Sequence, residues 1–381
     1  MQAWSEEVLE KIVGKYQRSA ALAAGQGIIP YQGAQGRWIG APWDGNSWWT
    51  GGFWPGLMWQ LYEASGLPVF RQEALRVEEL LVAELSRFEL LNHDVGFMYL
   101  LSCGAHYRHD GDEEARRHTL HAANLLAGRF NPVGYISAWN QNRPGWAIID
   151  CMMNLSLLYW ASEQTGDPRF DNIARIHADT TLREFVRPDG SCNHIIIFDP
   201  LTGEALDAPA GQGCAKGSSW SRGQAWALYG FAISYRYTKE ARYLEAALRI
   251  ARYFIKEIRP DGLTDSDFRQ PAGEERIDNI AAACASCGLL ELAGMAEDMA
   301  EAEAFRAAAL RMLEAMTELC ADFESVMPGI LTKCTASYND DGAGRHVNIM
   351  YGDYFFVEAM LRLAGREARL WFSDKRTGEE A

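Results

Sequence analysis

Residues 151–167 read CMMNLSLLYWASEQTGD. From Cys151 to Ala161 the stretch is apolar or small on most sides, and it runs into the turn signal Thr165-Gly166-Asp167-Pro168. A helix that is hydrophobic all round belongs inside a protein rather than on its surface. Five other stretches share the form: small or aromatic residues, a long apolar helix, then a turn or polar break. They are GGFWPGLMWQLYEASG, VGFMYLLSCGAHYRHDG, RGQAWALYGFAISYRYTKE, AAACASCGLLELAG and GDYFFVEAMLRLAG, beginning near residues 51, 95, 222, 281 and 352. Between them lie more polar helices, such as RFDNIARIHADTTLREFV and ARYLEAALRIARYFIKEI, with apolar residues at the three/four spacing of one buried face. Turn signals at Ser65-Gly66-Leu67-Pro68 and Arg259-Pro260-Asp261-Gly262 separate further pairs.

The expectation is six helical hairpins, each with an apolar inner helix and an amphipathic outer one. With a helix at the N-terminus this makes about twelve helices, an all-α (α/α)6 barrel. Such repeats cannot bury their faces alone and need stacked neighbours, so residues 1–381 are expected to form a single domain. Strand-like patches such as SCNHIIIF at 191–198 would decorate one rim.

Bulk composition narrows the function. The 48% hydrophobic and 23% charged residues are those of a folded globular chain. A formal net charge of −15 argues against general nucleic-acid binding and against an anionic membrane surface. Every apolar run breaks well before the roughly 18 residues of a membrane span. The start, MQAWSEEVLEKIVGKYQ, reads as an amphipathic helix rather than an export signal, which predicts a cytoplasmic protein. Its eight cysteines are then expected as reduced thiols. Cys284-Ala285-Ser286-Cys287 is a lone CxxC without a second ligand pair at suitable spacing, so no metal and no cofactor is expected. HExxH, GxSxG, Walker and strand-following GxGxxG motifs are absent from the sequence.

In a barrel of this kind the starts of the inner helices converge on one central pocket, however far apart they lie in sequence. Asp94 (in NHDVGF) and Asp150 (in WAIIDCMMNL) both stand at such starts. Either alone reads as a helix N-cap. Two at equivalent positions of neighbouring inner helices instead predict a carboxylate pair, in which repulsion and desolvation keep one proton available near neutral pH. Trp48, Trp49, Phe53, Trp54, Trp139, Trp146, Trp220 and Trp226 cluster near the same starts. Aromatic faces suit the C–H faces of sugar rings, and core packing is the competing use. Arg222 opens an apolar helix in GSSWSRGQAW. With His194 and Gln212 it could hold an acidic sugar, or it could pair an aspartate structurally.

The motifs WTGGFWPG, HDVGFMYLLS, IIDCMMNLSLLYWASEQTGDPRF, GSSWSRGQAWALYGFA and YGDYFFVEAMLRL, in this order, resemble the unsaturated glucuronyl hydrolases of glycoside hydrolase family 88. The likeness runs from about residue 40 to 365, and the related unsaturated rhamnogalacturonyl hydrolases match these segments less well. The resemblance implies catalytic aspartates at Asp94 and Asp150. It implies sugar contacts at Trp49, His93, Trp139, His194, Gln212, Arg222 and Trp226, and no catalytic metal. The implied substrates are lyase-generated oligosaccharides ending in a 4,5-unsaturated uronic acid. The implied chemistry is hydration of that vinyl ether, with Asp150 first acid and then base, and Asp94 holding up the pKa of Asp150. The chain departs from many relatives at Gly51, where they carry Asp, and its TASYNDDGAGRHVNIMYGDY segment has the pair Asp340-Asp341 and no Lys, which speaks against a preference for sulfated substrates. An ordinary inverting glycosidase and a non-catalytic sugar-binding protein are the rival expectations. A monomer or homodimer is expected.

Overall fold

Apolar helices that cannot face water must be surrounded, and this chain surrounds them with one another. The computed structural model describes residues 2–41, 45–140, 143–366 and 370–372. The first helix, α1 (Gln2–Gln26), stands in the outer layer. Five hairpins follow, each an inner helix and then an outer one. They are α2 (Phe53–Ser65) with α3 (Pro68–Leu85); α4 (Val95–Tyr99) and α5 (Cys103–Asp110) with α6 (Glu113–Ala127); α7 (Cys151–Thr165) with α8 (Pro168–Glu184); α9 (Ser221–Thr238) with α10 (Ala241–Glu257); and α11 (Asn279–Ala293) with α12 (Met299–Leu319). The last inner helix, α13 (Met350–Leu363), takes α1 as its outer partner. The inner helices neighbour one another in chain order and α13 returns to α2, which closes an (α/α)6 barrel.

All six inner helices begin within two residues of the positions expected from sequence. Burial follows the pattern that announced them. Every residue of α7 from Cys151 to Ala161 is buried, whereas α10 buries only Tyr243, Ala246, Ala247, Ile250, Ala251 and Phe254, a single stripe. Inner helices hand over to outer ones through tight turns: Gly66, Gly111 and Gly166 cap α2, α5 and α7 in the left-handed region, and Pro68 and Pro168 start the next helix.

The opposite end of the barrel, where inner helices start, carries the longer connections and three small antiparallel sheets. β1 (Pro30–Ala34) lies between β2 (Arg37–Gly40) and, further along the chain, β8 (Asn348–Ile349). β3 (Phe130–Asn131) pairs with β4 (Tyr135–Ile136). β6 (Ile195–Phe198), within the expected 191–198 patch, lies between β5 (Trp146–Ile148) and β7 (Ala205–Asp207).

The second inner element departs from expectation. VGFMYLLSCGAHYRHDG reads as one helix, but it is broken at 100–102 between α4 and α5. Tertiary contact overrides local propensity here. Gly52 lies so close to α4 that a Cβ on it would overlap the carbonyl oxygens of Phe97 and Met98. The Ser102 hydroxyl donates to the Met98 carbonyl at 2.6 Å, and the Ser102 backbone leaves the helical region (φ −103°, ψ −88°).

Two contacts lock the ring. Asp353 in the first turn of α13 accepts from the Tyr16 hydroxyl of α1, the backbone N–H groups of Ile330 and Leu331, and Asn348 Nδ2. At the end where the inner helices finish, the segment 370–372 enters the barrel. Trp371 is fully buried, stacks on Phe355 (6.1 Å, 3°) and reaches Phe97 (6.0 Å). Its indole N–H donates to Glu358 at 2.9 Å.

Candidate active site

Asp94 and Asp150 occupy the residue before α4 and the residue before α7. Neither side chain caps its helix. Asp112, Asp167, Asp278 and Asp298 do cap theirs, each accepting a backbone N–H of the first turn. The N-cap use of Asp94 and Asp150 is thereby excluded. Both are nonetheless buried, at 6% and 7% exposure. A buried carboxylate with no cap to make is costly unless its surroundings use it.

Asn154, one turn into α7, joins the two segments. Its Nδ2 lies 3.2 Å from Asp94 Oδ1 and 3.2 Å from the Asp150 carbonyl oxygen, and its Oδ1 accepts the Phe97 N–H at 2.7 Å. Burial and the neighbouring charge of Asp150 push the Asp94 carboxyl well above the usual range, against the pull of Asn154 and Arg129.

Each aspartate has a histidine. His93 donates from Nδ1 to the Ala138 carbonyl at 2.6 Å, and its Nε2 lies 3.3 Å from Asp94 Oδ1. Burial pulls the His93 pKa down to about 4, so the ring is neutral at pH 7 and Nε2 carries a lone pair. A lone pair at that position suits a protonated Asp94 as its donor. His194 has the opposite tautomer: its Nδ1 accepts the Gln212 N–H at 2.9 Å, so a neutral ring carries its hydrogen on Nε2, 3.6 Å from Asp150 Oδ1. The sheet sets this up, because pairing of β5 with β6 continues into an Ile149 N–H to His194 carbonyl bond and brings His194 beside Asp150. Gly211 makes the Gln212 contact possible. Its φ is +61°, and a Cβ there would overlap the imidazole of His194.

Aromatic residues surround these groups. Trp139 meets His93 edge-on at 6.0 Å, and Trp220 lies 4.4 Å from the His194 ring. Half-buried Trp49 packs on Phe97 (5.7 Å) and Tyr351 (5.0 Å). Trp226 is fully buried between Phe97 (5.3 Å) and Phe355 (5.5 Å), so it belongs to the layer beneath. Behind Trp139 lies an open depression of about 690 Å3 lined in part by Arg129 and Arg143; neither Asp94 nor Asp150 lines it. Gln141 and Asn142 of the same loop fall outside the described residues.

Arg222 is 1% exposed and tied into the protein. Nε meets Asp278 Oδ2 at 3.1 Å, Nη1 donates to the Tyr351 hydroxyl, and Nη2 donates to the carbonyls of Thr335 and Ala336. Four of its five N–H groups are thus committed. Gln212 Nε2 donates to the same Ala336 carbonyl at 2.7 Å. The structural pairing foreseen as one use of Arg222 is present, with Asp278 at the start of α11 as partner rather than Asp94 or Asp150. Asn154, Arg129 and Asp278 escaped sequence reasoning. Asn154 left a signal, a polar residue four positions after Asp150 in a mostly apolar helix, and Asp278 left the same signal as Asp150, a carboxylate leading into an apolar helix.

Among the described residues, no group of three or more His, Cys, Asp or Glu is arranged to hold a metal ion, and no helix is long and apolar enough to cross a membrane.

The sequence and the fold both match known proteins. The profile described as Glycosyl Hydrolase Family 88 matches residues 32–336. The unsaturated glucuronyl hydrolase of Bacillus sp. (strain GL1) is 37% identical over 323 residues, 83% of this chain and 86% of its own. The unsaturated chondroitin disaccharide hydrolase of Streptococcus pneumoniae is 34% identical over 314 residues, 80% of this chain and 79% of its own. A crystal structure of the Bacillus sp. GL1 enzyme, described as responsible for the degradation of glycosaminoglycan, superposes with a TM-score of 0.90 at 34% identity, covering 99% of this chain and 100% of that one. A Streptococcus agalactiae unsaturated glucuronyl hydrolase mutant complexed with dGlcA-GalNAc6S gives 0.80 at 28% identity, covering 94% and 92%. The chain therefore belongs to glycosyl hydrolase family 88 and is a glycosidase.

Proposed function

We propose that the chain removes the non-reducing-end 4,5-unsaturated glucuronic acid from lyase-generated oligosaccharides by hydrating the C4=C5 vinyl ether. One observation carries the reading: two buried aspartates head neighbouring inner helices, neither caps its helix, and each faces a histidine. The names of the relatives, unsaturated glucuronyl hydrolase and unsaturated chondroitin disaccharide hydrolase, support the substrate class.

The two carboxyls share one proton, and Asp150 delivers it to C4. Positive charge develops at C5 and the ring oxygen. Water attacks C5 and gives its proton to the Asp150 carboxylate, which restores the acid. The hemiketal at C5 opens to a ketone, and the hemiacetal left at C1 collapses to release the rest of the oligosaccharide. Water is the only co-reactant. Asp94 orients the sugar, and His93 and His194 fix its hydroxyls. Trp49 and Trp139 supply aromatic faces, with Trp226 beneath them. Gln212 and the uncommitted N–H of Arg222 serve the uronate carboxylate. Arg222 has a smaller part in this than a free guanidinium would have, because Asp278 offsets its charge. The protein works in the cytoplasm as a monomer or homodimer, its eight cysteines kept as thiols.

The test follows the ultraviolet absorbance of the conjugated alkene in lyase-generated disaccharides. Wild type abolishes it, while Asp150→Asn and Asp94→Asn stay folded and lose turnover by about 100-fold or more. Release of the second sugar with the alkene intact would make this an ordinary glycosidase and end the proposal.

A further inference from the structure

We propose that Asn154 is a positioning residue that sets Asp94 and Asp150 against each other, and that it does so through both of its amide atoms. The inference rests on the reading of those aspartates as the catalytic pair. Asn154 is fully buried on α7, among Met153, Leu155, Leu157 and Leu158. An amide in such a place costs free energy unless its donors and acceptor are all used. They are used on the two aspartate-bearing segments alone. Oδ1 takes the Phe97 N–H of the first turn of α4, and Nδ2 spans Asp94 Oδ1 and the Asp150 carbonyl. Only Oδ1 can accept from Phe97, so the amide has one orientation.

Packing makes the link stiff. Gly96 presses on α7 so closely that a Cβ there would lie 2.8 Å from Asn154 Cα. The start of α4 therefore rests directly on the second turn of α7. The register of the two helices, and with it the separation of the carboxyls, is set at this point. Asn154 also acts on the proton. As a donor to Asp94 it favours the carboxylate, in the same direction as Arg129 from the segment after α6. The other groups facing Asp94 are His93 of its own segment, and Asp150 and Cys151 at the start of α7. Without the amide, burial and the Asp150 charge act on Asp94 with less opposition.

The experiment uses Asn154→Asp, nearly isosteric, and Asn154→Leu, with thermal melts to confirm folding. We expect kcat on an unsaturated disaccharide to fall about 10- to 100-fold with KM changed less than about threefold, the signature of misplaced reacting groups. The limb of the pH–rate profile that belongs to Asp94 should move to higher pH in both variants. It should move further in Asn154→Asp, which adds a third carboxylate. If Asn154→Leu fails to fold, Asn154→Asp carries the test alone. Wild-type kcat with an unshifted profile in Asn154→Asp overturns the inference, and so does a loss of stability with the profile unmoved. Asp94→Asn and Asp150→Asn are run alongside. If they retain turnover, the reading of the pair fails. If they lose it while Asn154→Asp behaves as wild type, only the role of Asn154 fails.

Discussion

Arg222 gives the sharpest test of how this site is built, because a guanidinium serving substrate and one serving the protein differ in what their removal costs. Consider Arg222→Met, Asp278→Asn and the two together. Both side chains are essentially inaccessible, and their contact is 3.1 Å. Breaking a buried pair from one side leaves the other charge uncompensated, at a cost of about 3–5 kcal/mol. Arg222→Met also strands the Thr335 carbonyl and leaves Ala336 with Gln212 alone, whereas Asp278→Asn keeps an acceptor for the Ile280 and Thr335 N–H groups. Arg222→Met is therefore the more damaging of the two. The double variant removes both charges, so its loss should be smaller than the sum of the singles, with a coupling of about 2–3 kcal/mol. Urea unfolding followed by circular dichroism reads these values. Turnover of an unsaturated disaccharide should stay low in the double variant, because Ala336 and Gln212 lose their anchor whether or not Asp278 is satisfied. If Arg222→Met left stability within about 0.5 kcal/mol of wild type and raised only KM, the guanidinium would be a substrate-facing charge and the clamp described above would be wrong.

Three further outcomes are expected. Gly52→Ala should lower the melting temperature sharply, because its Cβ meets backbone oxygens of Phe97 and Met98 that cannot rotate away, and differential scanning calorimetry will measure the drop. Burial pulls the pKa of His177 down to about 3, so between about pH 6.5 and that value the unfolded chain binds a proton that the folded chain refuses, and stability is lost as pH falls. At pH 4.5 this ring alone costs about 2–3 kcal/mol, and His177→Asn should flatten the acid side of a plot of urea midpoint against pH. Trp371→Ala should cost about 3–5 kcal/mol for the vacated volume, with one Glu358 oxygen losing its donor while Tyr229 and Arg362 keep the other, and added indole should restore part of the lost melting temperature.

The barrel was legible in the sequence because its signal is periodic and local. A helix such as α7, apolar on all sides, admits one kind of surroundings, and the Gly-x-Pro joins mark where it stops. The break between α4 and α5 was not legible, since Ser102 and Gly104 are weak helix formers but do not by themselves interrupt an apolar helix. The interruption comes from Gly52, more than forty positions earlier. Convergence of Asp94 and Asp150 followed from topology once the inner helix starts were known, and His194 came to Asp150 through a strand that the patch at 191–198 announced. What an aspartate does after arriving was harder. Asp278 and Asp150 look alike as residues leading into apolar helices, yet one caps its helix and pairs Arg222, while the other has an oxygen with no hydrogen-bond partner among the described residues. That distinction lies in side-chain contacts across the barrel, which no local pattern encodes.

The pairing of α1 with α13 bears on how the molecule is made. The hydrogen bond from Tyr16 to Asp353 spans 337 positions of chain. At about 5–20 residues per second, a ribosome needs on the order of 20 to 70 seconds to bring the second partner out after the first. Throughout that wait Val8, Leu9, Ile12 and Tyr16 lack the closed barrel that buries them, with α2 and α3 at hand to cover part of α1. Grafting α1 behind α13 by circular permutation would let that hairpin form as soon as it is synthesised.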